Sequence, residues 1–506
     1  CEVSDHGQRY RPKGDTRPIR VVTEDEIRGT CNRLIWGGIN TLTSYYAFQG
    51  ITDEQLRRIN MHAGRCQTMP RGGHQVTDIA VLYPIESVWP RFIPAHHGAT
   101  DESAARRVES VFDGVSTAFY GANRDFAYVD SQTLREANVT KDALAHGDLR
   151  WRVLVLPAAD TLPLKAWEKV AAFWRQGGVV IAIGARPANS ETEFPSPRVQ
   201  AIARELFGAA EAPCVTANPA GGTGILLPTS MIGLAPRMVD SLLERDAACV
   251  ESKAPVKITR RRIDGCEVYF AINDSSTAWE GDVRFCGQGV NEQWDPASGV
   301  IATIAEGTQV PVRLGPYGAM LFRSATANVP KRLGGAIATG LSLACESLPK
   351  TPKPAASPGQ FVRAEVTGDH ASGWRAAATL TQGKVDTFLF LNFAYASPVN
   401  LSAYEGLAID VSLPQGQHAP TELLVFLHTA GGGQFLAGTG HFLNMPGSTR
   451  AYALFTQFKP FGQTPGELDL SQVTSVSVGW GGYFGTEGER ISFTVKPPQR
   501  FVCKTK

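Results

Sequence analysis

The chain has 506 residues, of which 43% are hydrophobic, and its 49 Lys and Arg residues nearly balance its 48 Asp and Glu residues, for a formal net charge of +1. This balance, without any block of like charges, argues against a broad nucleic-acid-binding face and against a basic helix on a membrane surface. No window approaches the roughly 18 unbroken apolar residues of a membrane-spanning helix. The length of the chain predicts three or four globular domains.

The nine cysteines are scattered, and no two of them form a C-x-x-C pair. This spacing does not predict a zinc site. We expect most of these residues to be buried as small hydrophobic side chains, while one or two disulfides remain an alternative that the sequence leaves open.

The first 46 residues have the order strand, helix, strand. Glu2 lies in the short opening strand, a helix is predicted over Glu24–Leu34, and a second strand over Leu34–Tyr46. This is the repeating unit of a (β/α) barrel, whose chemistry sits on loops after the strands. Since the sequence starts inside the unit, we expect the other barrel strands in a larger protein or a second chain. A further helix, Asp53–Cys66 with Thr52 as its N-cap, completes a predicted barrel segment over residues 1–74.

Residues 75–235 alternate short apolar strands with helices, which predicts a doubly wound α/β domain. The strands are predicted over Asp78–Pro84, Phe126–Val129, Trp151–Pro157 and Val179–Gly184. The loops after them carry no phosphate-binding glycine motif and no nucleophile on a tight turn. We therefore interpret the domain as a structural domain that packs beside the barrel. An amidotransferase-like enzyme is the weaker alternative.

The remainder of the chain is predicted to be all β. Residues 236–325 predict a small β-sandwich, residues 326–360 a Pro-rich linker, and residues 361–506 a jelly-roll sandwich. Exposed aromatic rings offer flat apolar faces to sugars. The candidate sugar-binding residues of the jelly roll are Trp374, Phe435, Trp480 and Tyr483, and the alternative is that these rings form its core.

Several stretches together resemble a known family of enzymes. They are Cys1–Val3, Gly38–Asn40, Ala80–Trp89, Arg152–Pro157, Gly177–Ala182 and Trp294–Gly299. Over residues 1–325 the chain resembles the family 106 α-L-rhamnosidase-like glycoside hydrolases and their relatives near the family 2 and family 42 β-galactosidases. The resemblance implies the C-terminal end of a (β/α)8 barrel, a glutamine-amidotransferase-like α/β domain and β-sandwiches. Residues 361–506 look like a carbohydrate-binding module.

The resemblance also implies a catalytic carboxylate. Glu2 matches the glutamate of the seventh barrel strand, which is the nucleophile in a retaining enzyme and assists a water in an inverting one. Glycoside cleavage needs a second carboxyl group, which the family places on the fourth strand, outside this sequence. The pocket would also be lined by Asp5, His6, Trp36, Asn40 and Tyr45. Ser44-Tyr45-Tyr46 stands where relatives often carry a histidine, which leaves the sugar undetermined.

The predicted function is therefore hydrolysis of a glycosidic bond in a plant or microbial polysaccharide or oligosaccharide. The alternative is a non-catalytic carbohydrate-binding or scaffold protein. The sequence calls for no cofactor and no metal, although the resemblance allows calcium. We expect a periplasmic or secreted protein with a carbohydrate substrate, a second chain that completes the barrel or a homo-oligomer as partners, and neither nucleic-acid binding nor a membrane span.

Overall fold

The computed structural model describes residues 2–4, 14, 16, 21–46, 48, 50–94, 104–251, 253–331, 333, 342–464 and 466–504. The chain divides into two compact units. Unit 1 comprises residues 1–208, 216–225 and 235–338, and unit 2 comprises residues 209–215, 226–234 and 339–506. Two predicted site residues, Asp5 and His6, lie outside the described residues.

Unit 1 begins with a parallel strand–helix–strand arrangement. Strand β1 (Glu2–Ser4) pairs in parallel with β2 (Thr43–Tyr45), and helix α1 (Glu24–Trp36) lies between them in the chain. A capping box fixes the start of α1: Glu26 N donates to Thr23 Oγ1, and Thr23 N donates to the Glu26 carboxylate. The observed strand β2 is shorter than the strand predicted over Leu34–Tyr46, because α1 continues to Trp36 and β2 begins only at Thr43.

Helix α2 (Asp53–Cys66) confirms the predicted helix and its Thr52 cap. Buried Val3, Ile27 and Ile59 join β1, α1 and α2 in one apolar cluster. Short elements α3 (Thr68–Arg71) and β3 (His74–Gln75) follow.

A doubly wound α/β layer follows, in agreement with the prediction. The apolar runs that form its central strands are fully buried, as expected of a parallel sheet covered on both faces. The strands are β4 (Ile79–Leu82), β5 (Ala127–Val129), β6 (Asn138–Thr140), β7 (Ala143–His146), β8 (Leu149–Trp151), β9 (Val153–Pro157), β10 (Val179–Ile183), β11 (Cys214–Ala217) and β12 (Thr223–Leu227). The helices are α4 (Ile85–Val88), α5 (Ala104–Gly121), α6 (Ser131–Glu136), α7 (Leu164–Arg175), α8 (Pro197–Phe207) and α9 (Ala235–Leu242).

The main sheet of this layer has the order β11-β12-β10-β9-β4-β5, while β6, β7 and β8 form a small separate sheet. Strand β4 pairs in parallel with both β5 and β9, so the chain reverses its direction of progress across the sheet at β4. Such a switch point is where open α/β sheets form their ligand crevices.

The rest of unit 1 is a β-sandwich around one apolar core, which includes Tyr269, Phe285 and Phe322. Its sheets have the orders β13-β16-β19 and β18-β17-β20-β15-β14-β3, so β3 joins the sandwich from a distant part of the chain. The strands are β13 (Ala247–Cys249), β14 (Val256–Ile263), β15 (Cys266–Asn273), β16 (Trp279–Phe285), β17 (Val290–Trp294), β18 (Ile301–Gly307), β19 (Gln309–Leu314) and β20 (Ala319–Ser324).

Unit 2 is dominated by a second and larger β-sandwich. One sheet has the order β21-β33-β26-β32-β24-β23 with β29 also paired to β26, and the other has the order β22-β25-β31-β27-β28-β30. The strands are β21 (Ser342–Ser347), β22 (Ala355–Pro358), β23 (Val362–Asp369), β24 (Gly373–Leu380), β25 (Val385–Val399), β26 (Gly406–Leu413), β27 (Glu422–Thr429), β28 (Gln434–Phe442), β29 (Gly447–Leu454), β30 (Lys459–Pro460), β31 (Val473–Phe484), β32 (Arg490–Val495) and β33 (Gln499–Lys504).

The prediction of a Pro-rich linker over residues 326–360 is wrong for the second half of that range. Strand β21 pairs antiparallel with β33, and β22 pairs antiparallel with β25. Pro358 is tolerated there because β22 is an edge strand, where a missing N–H breaks no interior ladder. The sandwich of unit 2 therefore begins at Ser342, before the predicted boundary at residue 361.

Among the described cysteines, six are free thiols: Cys31, Cys66, Cys249, Cys266, Cys286 and Cys345. Only Cys31, Cys66 and Cys286 are buried, so the expectation that most cysteines lie in the core is wrong for the described part of the chain. Among the described helices, none is both long and apolar enough to cross a membrane.

Candidate functional site

The barrel-like segment places the backbone of Glu2 in β1, directly opposite Thr43 of β2. The Glu2 side chain lies outside what the structure describes, as do Asp5 and His6. Tyr45, opposite Ser4 in the same pair of strands, is 52% exposed, and Asn40 is exposed in the connection before β2. The segment thus carries Glu2, Asn40 and Tyr45 on or next to two neighbouring parallel strands.

Trp36 does not lie on a strand and is not open to a ligand. It is the last residue of α1, only 8% of it is exposed, and its ring meets Tyr120 and Phe126 edge-on at centroid distances of 5.0 and 6.5 Å. The prediction that Trp36 lines a sugar pocket is corrected, because its side chain is buried in an apolar cluster of unit 1.

Three of the four predicted sugar-binding rings of the C-terminal sandwich are core residues. Trp374, Phe435 and Trp480 are 7%, 2% and 0% exposed, and all three belong to the cluster between the two sheets. A buried ring cannot offer its face to a sugar, so this part of the prediction is corrected in favour of the core alternative. Tyr483 is 77% exposed and remains a candidate.

The outer face of the six-stranded sheet of unit 2 carries a different set of rings. We call Phe388, Phe390, Phe426 and Phe461 the aromatic platform. Phe390 and Phe426 meet edge-on at 5.1 Å, Phe426 and Phe461 meet edge-on at 5.0 Å, and Phe388 lies 6.2 Å from Phe390. Phe461 is 48% exposed, Phe388 and Phe426 are half-buried, and Phe390 is buried among its neighbours.

Two glycines leave room for the platform on the neighbouring strand. Gly479 of β31 lies opposite Phe390, and Gly481 lies opposite Phe388. Since glycine has no side chain, the two phenylalanine rings have no side chain beside them at these positions of β31. A Cβ atom on Gly479 would lie 2.0 Å from the Leu389 carbonyl oxygen, which no real contact permits. Glycine is therefore required at 479 for close approach of the two strands.

A polar group borders the platform. Ser477 Oγ lies 2.9 Å from His428 Nε2 and donates to Asn392 Oδ1 at 3.3 Å, and the His428 ring stacks on Phe426 at 6.0 Å. Burial lowers the pKa of His428, so the imidazole is neutral near pH 7. An apolar surface beside uncharged donors and acceptors is the chemistry that binds neutral sugars.

The sequence did contain a signal for these residues. In Phe388-Leu-Phe-Leu-Asn392 both alternating sets are apolar, which is unusual for a strand with one face toward solvent. Leu389 and Leu391 enter the core, so the aromatic set must lie outside. Three of the predicted rings, Trp374, Phe435 and Trp480, belong instead to the buried set.

The turn after β9, beside the switch point of the α/β layer, carries no nucleophile among its described residues 158–160. The tight turn after β9 puts Ala158 at φ +44°, a left-handed conformation like that of a strained nucleophile elbow, but the residue there has only a methyl group. The neighbouring Asp160 is engaged by Arg91. The interpretation of the layer as structural stays a prediction.

No group of three or more His, Cys, Asp or Glu side chains is placed to hold a metal ion within the part of the chain that the structure describes. The calcium ion that the resemblance allows stays a prediction.

The comparisons with known proteins point to glycoside hydrolases. Residues 110–306 match the sequence model of glycoside hydrolase family 106, described as alpha-L-rhamnosidase. No curated protein sequence matches the chain.

Solved structures with partial likeness include a rhamnosidase from Novosphingobium sp. PP1Y, at 13% identity and TM-score 0.42 over 95% of this chain and 46% of that one. A family 42 β-galactosidase from G. stearothermophilus is 11% identical with TM-score 0.42, over 61% of this chain and 52% of that one. A family 11 carbohydrate-binding module from Clostridium thermocellum is 12% identical with TM-score 0.24, over 33% of this chain and 96% of the module. The chain thus spans about half the length of the two enzymes. Through residues 110–306, the chain resembles the family 106 α-L-rhamnosidase-like glycoside hydrolases.

Proposed function

We propose that the chain is part of a glycoside hydrolase that acts outside the cytoplasm on a plant or microbial polysaccharide or oligosaccharide. Residues 1–74 contribute the last strands of its (β/α)8 barrel, and Glu2 is the carboxylate of the seventh strand. The observation that carries this proposal is the parallel pairing of β1 with β2 around helix α1, on the N-terminal side of the segment that resembles family 106. Carboxylates at the ends of such strands form the active sites of barrel enzymes.

The proposed chemistry requires two carboxyl groups. One protonates the glycosidic oxygen, and the other attacks the anomeric carbon or activates a water, at separations of about 5 Å for retention and about 6.5–9.5 Å for inversion. Glu2 takes the second role in this proposal. Its partner acid belongs to another strand of the same barrel, supplied by a further segment or by a second chain.

The test is the substitution Glu2→Gln in the protein that carries the complete barrel. Removing the ionised oxygen while keeping the side-chain shape should abolish turnover of aryl α-L-rhamnosides or aryl β-D-galactosides and leave the melting temperature nearly unchanged. Glu24→Gln is a matched control, because Glu24 is a carboxylate of the same barrel-like segment that is engaged by Arg58. A Glu2 variant that keeps the wild-type rate would remove this residue from the mechanism.

A second proposal concerns the sandwich of unit 2, which we infer is a carbohydrate-binding module. The aromatic platform and the polar group His428–Ser477–Asn392 support it, since together they match the apolar face and the hydroxyl groups of a sugar. Tyr483 extends the same surface, because it is an outward residue of β31 like Gly479 and Gly481. Asp386, opposite Tyr483, places one carboxylate at that end.

Affinity electrophoresis of the full chain in gels that contain neutral polysaccharides tests the binding proposal. Phe461→Ala should weaken retention, because this ring is the most exposed of the four and stacks edge-on against Phe426. Phe92→Ala is the control, because Phe92 is a comparably exposed aromatic residue of unit 1. If the wild-type chain migrates freely on every polysaccharide, the sandwich is a packing domain.

A further inference from the structure

Strand β18 is the terminal strand of the larger sheet in unit 1, and it is unusually open. It pairs with β17 on one side, and no strand among the described residues pairs with its other edge. Most of its residues are exposed, with Ile301 at 64% and the preceding Val300 at 59%. An edge of this kind presents backbone donors and acceptors that can extend the sheet with another strand.

This edge carries a register shift against β17 at residues 304–306, but it lacks the prolines and basic side chains by which proteins block unwanted strand pairing. Other edge strands of this chain carry them: β23 has Arg363 and Glu365, and β19 has Pro311 and Arg313. Strand β18 has no lysine, arginine or proline, and its only charge is Glu306 near its end. An exposed apolar strand without such protection is a pairing site.

The sequence of β18 is complementary to itself in one antiparallel register. When two copies pair about Thr303, Ile301 of each lies opposite Ala305 of the other, Ala302 lies opposite Ile304, and Thr303 meets Thr303. Each branched side chain then faces a methyl group, threonines pair at the centre, and the two Glu306 carboxylates are kept apart. Residues opposite one another lie on the same face of the sheet, and β18 keeps a regular register against β17 over residues 301–303, at the centre of this pairing.

We propose that two copies of this chain associate through β18, paired antiparallel about Thr303, so that their larger unit 1 sheets become continuous. This interface goes beyond the proposed catalytic and carbohydrate-binding functions and does not depend on either. One pair of short strands buries less surface than a standard interface, so we expect a weak and concentration-dependent dimer.

Sedimentation velocity of the full chain over a concentration series tests the proposal, and we expect a monomer–dimer equilibrium. Thr303→Lys puts two ammonium groups directly opposite each other and should raise the dissociation constant by at least about tenfold. Thr303→Glu should do the same, and an equimolar mixture of the two variants should restore the dimer, because the opposed charges then attract. Thr367→Lys, on the exposed edge strand β23 of unit 2, is the control and should leave the equilibrium unchanged.

Three results would each overturn the proposal: a wild-type chain that stays monomeric over the whole series, a dimer unaffected by Thr303→Lys, or a mixture that fails to associate. Far-UV circular dichroism checks that each variant is folded. If the lysine variant is not folded, Ala305→Lys replaces it, because a lysine there confronts Ile301 of the other copy and should weaken the dimer in the same direction.

Discussion

Asp125 provides a test of how a buried carboxyl group links stability to pH. It lies in a small polar cavity of unit 1, together with Asp246 and Arg260. Its oxygens accept hydrogen bonds from Thr259 Oγ1 at 2.8 Å and Gln75 Nε2 at 3.1 Å. Burial raises the pKa of Asp125 from 3.8 to about 7, against these hydrogen bonds, which lower it.

Because folding raises the pKa of Asp125, the contribution of this group to stability decreases as the pH rises. The unfolded chain releases the Asp125 proton near pH 3.8 and the folded chain only near pH 7, so the group favours folding below pH 3.8, and this contribution is lost as the pH rises toward 7. Between pH 5 and pH 8 the loss amounts to about 2.5 kcal/mol. This is an upper value, because Asp125 as a residue keeps some contact with solvent.

The substitution Asp125→Asn isolates this contribution. An amide keeps the acceptor oxygen and can donate to Thr259 Oγ1, but it does not titrate. Burial lowers the pKa of His62 to about 4, which acts on stability in the opposite direction, but both proteins carry His62 and its effect cancels in the comparison. Relative to wild type, the variant should gain up to about 2.5 kcal/mol of unfolding free energy between pH 5 and pH 8.

Denaturant titrations of both proteins at several pH values measure this difference, with the exposed Glu487→Gln as the control. The unit 1 transition should carry the effect, since Asp125 lies in that unit. If the stabilities of wild type and Asp125→Asn change in parallel from pH 5 to pH 8, Asp125 is not protonated in the folded protein and the reasoning fails.

Further predictions concern the sandwich of unit 2 and the barrel segment. Trp480→Ala should destabilise unit 2 by about 4 kcal/mol, because it removes a fully buried ring, and thermal unfolding measures the loss. Phe426→Ala should weaken retention on polysaccharide while leaving far-UV circular dichroism unchanged; loss of the fold instead would assign this ring to packing. Gly479→Ala should cost about 2 kcal/mol or more in denaturant titrations, since the methyl group meets the neighbouring strand, and an unchanged midpoint would contradict that contact. Glu2→Gln should abolish turnover in the complete barrel, as assayed with aryl glycosides.

Local sequence determined much of the secondary structure. The capping residue Thr52 and the apolar spacing after it were enough to place α2 over Asp53–Cys66, since both signals lie within one or two helical turns. The fully apolar runs of β4, β9 and β10 likewise predicted a parallel sheet covered on both sides. The Pro-rich composition of residues 326–360 led to the wrong prediction of a linker. Strand β21 forms there by pairing with β33, more than 150 positions away, and local sequence does not show such a pairing.

Only the tertiary structure decided which face of each strand enters the core. In β25 the phenylalanines and the leucines alternate and both sets are apolar, so the sequence cannot tell which set is buried. The opposing sheet settles it by covering Leu389 and Leu391, while Phe388 and Phe390 lie on the other face of the strand, where Phe390 is covered by neighbouring rings. Side chains alternate along a strand with a period of two, so the strand register decides which rings are buried and which lie on the outer face. The partner strand that sets this register is distant in sequence.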